Sequence, residues 1–252
     1  MRTLRAMSRL AALCAMTAAL YAVWVAGAAL PFVRGRRRVR WRGFVFRSWA
    51  RAASVLMGMR LGVSGAAPRP PFLLVANHLS YVDIVALAAN CECVFVAKKE
   101  VASWPVIGRL SSRMGTIFID RRLHRDIPRA LSLVESALEE GAGVVLFAEG
   151  TSTRGLRVLP FKSPLLEAAA RRGLPVRYAS LSYRTPPGEA GADSSVCWWG
   201  DMTFPRHFFE LLRMRSFRAE LTFGDEGIRG GDRKALALKL WTAVSARFVP
   251  VG

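Results

Sequence analysis

Apolar and polar positions fall into two regimes along this chain. From Leu10 to Val33 the sequence is apolar without a charged side chain, long enough to span a bilayer. The basic run Arg34-Gly35-Arg36-Arg37-Arg38-Val39-Arg40-Trp41-Arg42 follows at once. Between Phe44 and Leu61, aromatic and aliphatic positions interleave with Arg47, Arg51 and Arg60, which predicts a basic amphipathic helix. That face suits a membrane interface or the core of the domain. Gly65 to Pro71 is a Pro/Gly linker. Beyond it, short apolar runs at 72–76, 94–97, 116–119, 144–147, 176–181 and 219–223 read as strands. They alternate with helical stretches at 84–89, 104–114, 128–140, 165–172 and 232–248. The alternation predicts an α/β fold: a mixed, largely parallel sheet flanked by helices, with N-terminal membrane-associated helices. The domain division is 1–64 as membrane anchor and 65–252 as the α/β domain.

Charge sharpens this picture. Lys and Arg number 37 against 18 Asp and Glu, a net charge of +19, and 52% of the 252 residues are hydrophobic. So basic a chain attracts polyanions. The apolar content favours an anionic membrane surface over nucleic acid, and no nucleic-acid-binding motif is present. A cleaved signal peptide is the rival for the first segment, with Arg2, Arg5 and Arg9 as its basic region. The apolar run exceeds the usual signal core of about 7–15 residues, which favours an uncleaved anchor. The arginines after the run outweigh those before it, which places the remaining chain on the cytoplasmic side of the cell inner membrane. Cys14, Cys91, Cys93 and Cys197 form no disulfide framework or zinc spacing, and are expected to be free and buried.

The densest chemistry lies in Asn77-His78-Leu79-Ser80-Tyr81-Val82-Asp83, directly after the strand at 72–76. Five residues along one helix would turn His78 and Asp83 roughly 140° apart. They meet only if His78 sits in the loop and the helix starts after it, with Ser80 as N-cap. Asp83 would then fix the imidazole tautomer and leave its other nitrogen free as a base. The same letters fit a capping box, in which Asp83 only closes the helix and His78 is structural. Two further strand ends carry polar clusters, Asp120-Arg121 and Glu149-Gly150-Thr151-Ser152-Thr153-Arg154-Gly155; the second is not a P-loop.

Taken together, these stretches resemble the glycerolipid acyltransferases, the lysophosphatidate acyltransferase family. The NH-x4-D sequence is similar to that family's block I, Gly115 to Arg121 to block II, Phe147 to Thr151 to block III and Leu174-Pro175-Val176 to block IV, in order across Phe72 to Leu181. Lys98-Lys99-Glu100 and Phe161-Lys162 also resemble family sequence. Family members often carry arginine directly after the Glu-Gly-Thr; here Ser152 stands there, and the nearest arginine is Arg154.

The resemblance implies a membrane-bound O-acyltransferase. An acyl chain would pass from acyl-CoA or acyl-carrier protein to the hydroxyl of 1-acyl-sn-glycerol 3-phosphate, giving phosphatidic acid. Another lysolipid, such as lyso-ornithine lipid, is the alternative acceptor. His78 would be the general base and Asp83 its orienting partner. Lys98, Arg121, Arg154 and Lys162 would hold the acceptor phosphate. Glu149, with Gly150 and Thr151, would bind a glycerol hydroxyl or anchor those cations. No metal or cofactor is implied. A serine or cysteine hydrolase is a poor fit, because no G-x-S-x-G elbow occurs.

Overall fold

The computed structural model describes residues 1–120, 123 and 125–251. Its elements run α1 (Arg2–Ala29), α2 (Arg36–Leu56), β1 (Met59–Ser64), β2 (Phe72–Ala76), α3 (Val82–Ala88), β3 (Cys93–Lys98), α4 (Lys99–Ala102), α5 (Ile107–Arg113), β4 (Ile117–Ile119), α6 (Asp126–Glu139), β5 (Gly143–Phe147), α7 (Glu167–Arg171), β6 (Val176–Arg184), α8 (Ala192–Ser195), α9 (Phe204–Arg213), β7 (Phe217–Phe223) and α10 (Arg233–Ser245). The seven strands form one sheet in the order β1-β7-β6-β2-β5-β3-β4. All neighbours are parallel except β6 and β7.

Central strands β2 and β5 are buried at all five positions. Parallel strands covered on both faces need such unbroken apolar runs. Leu74 and Ala76 face one core, with α1, α2, α3 and α9; Leu73 and Val75 face the other, with α6, α7 and α10. The sheet is therefore the middle of three layers, as the alternation of short apolar runs and helical periods predicts.

Helices α1 and α2 form an antiparallel hairpin. Trp41 Nε1 donates to the Trp24 carbonyl (3.2 Å) and Trp49 Nε1 to Thr17 Oγ1 (2.9 Å). At the other end of α1, the Arg9 guanidinium donates to the carbonyls of Leu212 (3.2 Å), Met214 (2.6 Å) and Arg215 (3.0 Å), and Arg5 donates to that of Arg213 (3.0 Å). These carbonyls close α9, where cations are favoured by the helix dipole. From Met7 to Ala29 every fully exposed position of α1 is uncharged, and Ser8 is the one polar residue among them.

Three readings change. The helix expected at 44–61 starts at Arg36, inside the basic run, and ends at Leu56. A turn at Gly58 (φ +76°) then leads into β1, which pairs with β7 from Met59 onward; a strand of the sheet thus lies within residues 1–64. Cys91, Cys93 and Cys197 are buried as expected, whereas Cys14 lies exposed on α1. Helix α9, assigned to no element from sequence, packs its Leu211 and Leu212 into the core.

Candidate active site

The sheet order puts the chemistry on one edge. Strands β2, β5, β3 and β4 are successive parallel neighbours, and at their C-terminal ends stand His78, Glu149, Lys98 and Asp120 in turn. At about 4.8 Å per strand, these groups span roughly 14 Å.

At the first end, Asn77 continues the sheet through its side chain. Its Nδ2 donates to the Leu181 carbonyl (2.9 Å) and its Oδ1 accepts from the Leu181 N–H (2.8 Å), so the amide stands in for a peptide of the ladder. His78 then leaves the strand. Its Nδ1 lies 2.7 Å from Asp83 Oδ2. A carboxylate oxygen only accepts, so Nδ1 carries the proton and Nε2 of the neutral ring is the free lone pair. The ring lies flat on Phe147, 4.1 Å between centroids.

Asp83 is fully buried. Its Oδ2 also accepts the N–H groups of Leu79 (2.7 Å) and Ser80 (3.0 Å), while Oδ1 accepts the Tyr183 hydroxyl (2.6 Å). One oxygen of Asp83 thus both accepts the N–H groups before α3 and holds the imidazole at Nδ1. Ser80 is not the cap: the N-cap position falls at Tyr81, and Ser80 Oγ is buried without a hydrogen-bond partner among the described residues.

Beneath the turn lies Glu149. Oε1 accepts the His78 N–H (2.6 Å) and Oε2 the Leu159 N–H (2.9 Å). Burial pushes its carboxyl up to about 7, against the pull of those two amides. Both oxygens therefore serve the main chain, which makes Glu149 a support for His78. The following loop hangs on the same residue, since the Thr153 N–H donates to the His78 carbonyl (3.0 Å). Gly150 has φ +78°, a conformation that favours glycine. A Cβ there would meet the side chain of Lys162 at 3.0–3.1 Å, so that lysine lies across the loop.

The remaining cations are dispersed. Lys98 is exposed at the end of β3, and Thr151 is exposed on the loop. Arg154 is engaged elsewhere, with Nε and Nη2 on Asp193 Oδ2 (2.8 and 2.7 Å) and its guanidinium over Trp199 (5.6 Å). Arg121 lies outside the described residues. Next to it in sequence, the Asp120 N–H donates to Asp126 Oδ2 (2.7 Å), and Lys99 Nζ lies 3.9 Å from Asp120. A cavity of about 550 Å³ opens beside these groups.

Sequence reasoning missed Tyr183, Leu159 and His207. The first two reach Asp83 and Glu149 from 100 and 10 residues away respectively, with no local signal. His207 sits behind the turn. Its Nε2 lies 3.0 Å from the Cys197 carbonyl, so it donates there, and Nδ1 accepts the Tyr81 hydroxyl at 2.8 Å. Burial lowers the His207 pKa, which keeps this pairing neutral. Tyr81 also meets Trp198, Phe204 and Phe208, and Trp104 joins the cluster through Trp198 and Phe204.

A family model described as Acyltransferase matches residues 60–178. A 1-acyl-sn-glycerol-3-phosphate acyltransferase of Neisseria meningitidis serogroup B is 31% identical over 198 residues, which cover 76% of this chain and 76% of that protein. The chain belongs to the glycerolipid acyltransferase family. A lyso-ornithine lipid O-acyltransferase of Rhodobacter capsulatus is 37% identical over 178 residues, covering 69% of this chain and 63% of that protein's length. The crystal structure of the 1-acyl-sn-glycerophosphate (LPA) acyltransferase PlsC from Thermotoga maritima shares the fold, with a TM-score of 0.70 at 17% identity over 98% of this chain and 96% of that one. In this acyltransferase, the NH-x4-D residues and the Glu-Gly-Thr loop occupy adjacent strand ends of the sheet.

Proposed function

We propose that this acyltransferase moves an acyl chain from a thioester donor, acyl-CoA or acyl-carrier protein, to the free hydroxyl of 1-acyl-sn-glycerol 3-phosphate, giving phosphatidic acid. The observation that carries the reading is His78 held through Nδ1 on buried Asp83, with Nε2 left as the base. Nε2 takes the proton as the acceptor oxygen attacks the thioester carbon. Asp83 stabilises the imidazolium so formed. When the C–S bond breaks, the imidazolium returns the proton to the departing thiolate. Atoms and electrons balance without a cofactor, because the thioester is already activated.

Lys98, at the end of β3, and Lys162, across the loop after β5, hold the acceptor phosphate together with Arg121. Gly150 gives Lys162 its path, and Thr151 borders it. Arg154 contributes less, because Asp193 already neutralises it. The aromatic cluster around Tyr81, with Trp104, Trp198 and Phe204, walls the acyl chains. The acceptor arrives from the inner membrane on its cytoplasmic side, where the uncharged outer face of α1 meets lipid and the basic run meets anionic headgroups.

A second acceptor, a lyso-ornithine lipid, is favoured by one observation: with Arg154 occupied by Asp193, the loop after Glu149 offers fewer cations to a phosphate. Acyl transfer by the detergent-purified protein, offered each lysolipid separately with either donor, decides between them. Faster turnover of lysophosphatidate supports the main reading. Exclusive turnover of lyso-ornithine lipid replaces it, and no turnover of either refutes both.

A further inference from the structure

The sheet has a second polar end. Opposite the His78 edge, a cavity of about 820 Å³ is lined by Arg36, Arg37, Arg40, Arg42, Arg47 and Arg69, against Glu92 and Glu140. Its floor is the segment before β2 (Ala67–Pro71) and the starts of β3 and β5. The length of β2 therefore separates it from the catalytic turn by about 17 Å.

The six arginines are poorly matched by protein. Arg47 and Glu92 approach only to 3.8 Å, and Arg47 Nε is buried without a hydrogen-bond partner among the described residues. Arg40, Arg42 and Arg69 make no hydrogen bond or ion pair among the described residues. Guanidinium groups keep their charge at any physiological pH; Arg42 and Arg47 are half-buried, where a guanidinium is costly without an anion, and Arg36, Arg37, Arg40 and Arg69 are exposed around them. Forked donors converging on a cavity suit phosphate oxygens. Exposed apolar side chains flank the basic run in the chain: Leu30 and Phe32 precede it and Phe44 follows the cavity residue Gly43, while the Phe32 carbonyl accepts from Arg37 (3.5 Å). A soluble phosphate compound has no use for those neighbours, whereas a lipid has.

We propose that this cavity, which shares Arg42 and Glu140 with the one beside Asp120 but lies at the far end of β2 from the catalytic turn, is a headgroup site for an anionic phospholipid, used to dock the enzyme on its membrane. The proposal rests on the membrane reading above and deepens it: binding is seated in a cavity that includes Arg69 of the linker, not spread over the basic run. Phosphate oxygens take the place of water around Arg40, Arg42 and Arg69, while the acyl chains run along Leu30, Phe32 and Phe44.

The test compares two pairs of equal charge. Full-length protein is titrated with phosphatidylcholine vesicles, alone or containing phosphatidylglycerol. Arg40→Gln/Arg69→Gln removes two cavity arginines; Arg34→Gln/Arg38→Gln removes two from the same basic run that do not line this cavity. The cavity pair is expected to lose about tenfold of the preference for anionic vesicles and the control pair about threefold or less, all proteins binding neutral vesicles alike. Arg40→Lys/Arg69→Lys, which keeps the charge, retains most of the preference. Unchanged acyl transfer in neutral detergent verifies the fold of each variant. Equal losses by the two Gln pairs overturn the site while leaving membrane association intact. A wild type that binds neither vesicle overturns both. Inorganic phosphate that abolishes the wild-type preference at fixed ionic strength assigns the cavity to a soluble anion and overturns the lipid.

Discussion

The turn from Asn77 to Asp83 and the cationic surface beside it stand on neighbouring strand ends, yet they are built in opposite ways. In the turn, Asn77 is paired on Leu181, His78 is held at its ring and its backbone N–H, and Asp83 receives four donors in full burial. On the cationic side, Lys98, Thr151, Arg154 and Lys162 are exposed. Proton transfer needs one geometry within a fraction of an ångström, so the turn is fixed by buried hydrogen bonds. A phosphate can be held by long side chains from several directions, so its holders need only reach.

Substitutions test that contrast. Asp83→Asn should be the most damaging on the turn side: an amide NH₂ would face N–H donors and the ring would lose its tautomer control, lowering kcat at least about 10²-fold. Glu149→Gln should follow, at roughly ten- to a hundredfold in kcat, because one of its two backbone amides loses its acceptor and His78 shifts. The same variant carries a pH signature. A carboxyl at about 7 when folded and near the ordinary 4.5 when unfolded keeps its proton in the folded state alone between those values. Wild-type stability therefore falls as pH rises from about 4.5 to about 7, by on the order of 3 kcal/mol, and urea midpoints of Glu149→Gln should lack this slope.

Tyr183→Phe takes one donor from Asp83 and should cost about 1–3 kcal/mol of stability with about tenfold or less in kcat. Lys162→Ala, on the cationic side, should raise the KM for lysophosphatidate by about fivefold with kcat nearly unchanged. A large kcat loss at Lys162, or a pure KM effect at Glu149, would erase the distinction between the two regions.

Sequence made the architecture legible where physics forces a pattern. Strands β2 and β5 are covered on both faces, so their five-residue apolar runs stand out. The spacing of His78 and Asp83 fixed where the helix must start. It posed capping and orientation as alternatives, although one oxygen can do both. Helix α2 was obscured at both ends. Its first turns are arginines, good helix formers that read as a charge run, and its exit depends on Gly58 and on pairing with β7, far along the chain. Tyr183 on Asp83 and Asp193 on Arg154 are contacts between residues 100 and 39 positions apart, for which local pattern holds no signal.

The central claim is that His78 Nε2 takes the acceptor's proton. The most direct measurement is kcat and KM of His78→Ala for acyl transfer at saturating donor. The account predicts a kcat lower by about 10²–10⁴-fold, with the acceptor KM within about threefold of wild type. A variant that keeps more than a tenth of wild-type kcat would contradict it, and would leave the His78–Asp83 pair as a structural clasp at the start of α3.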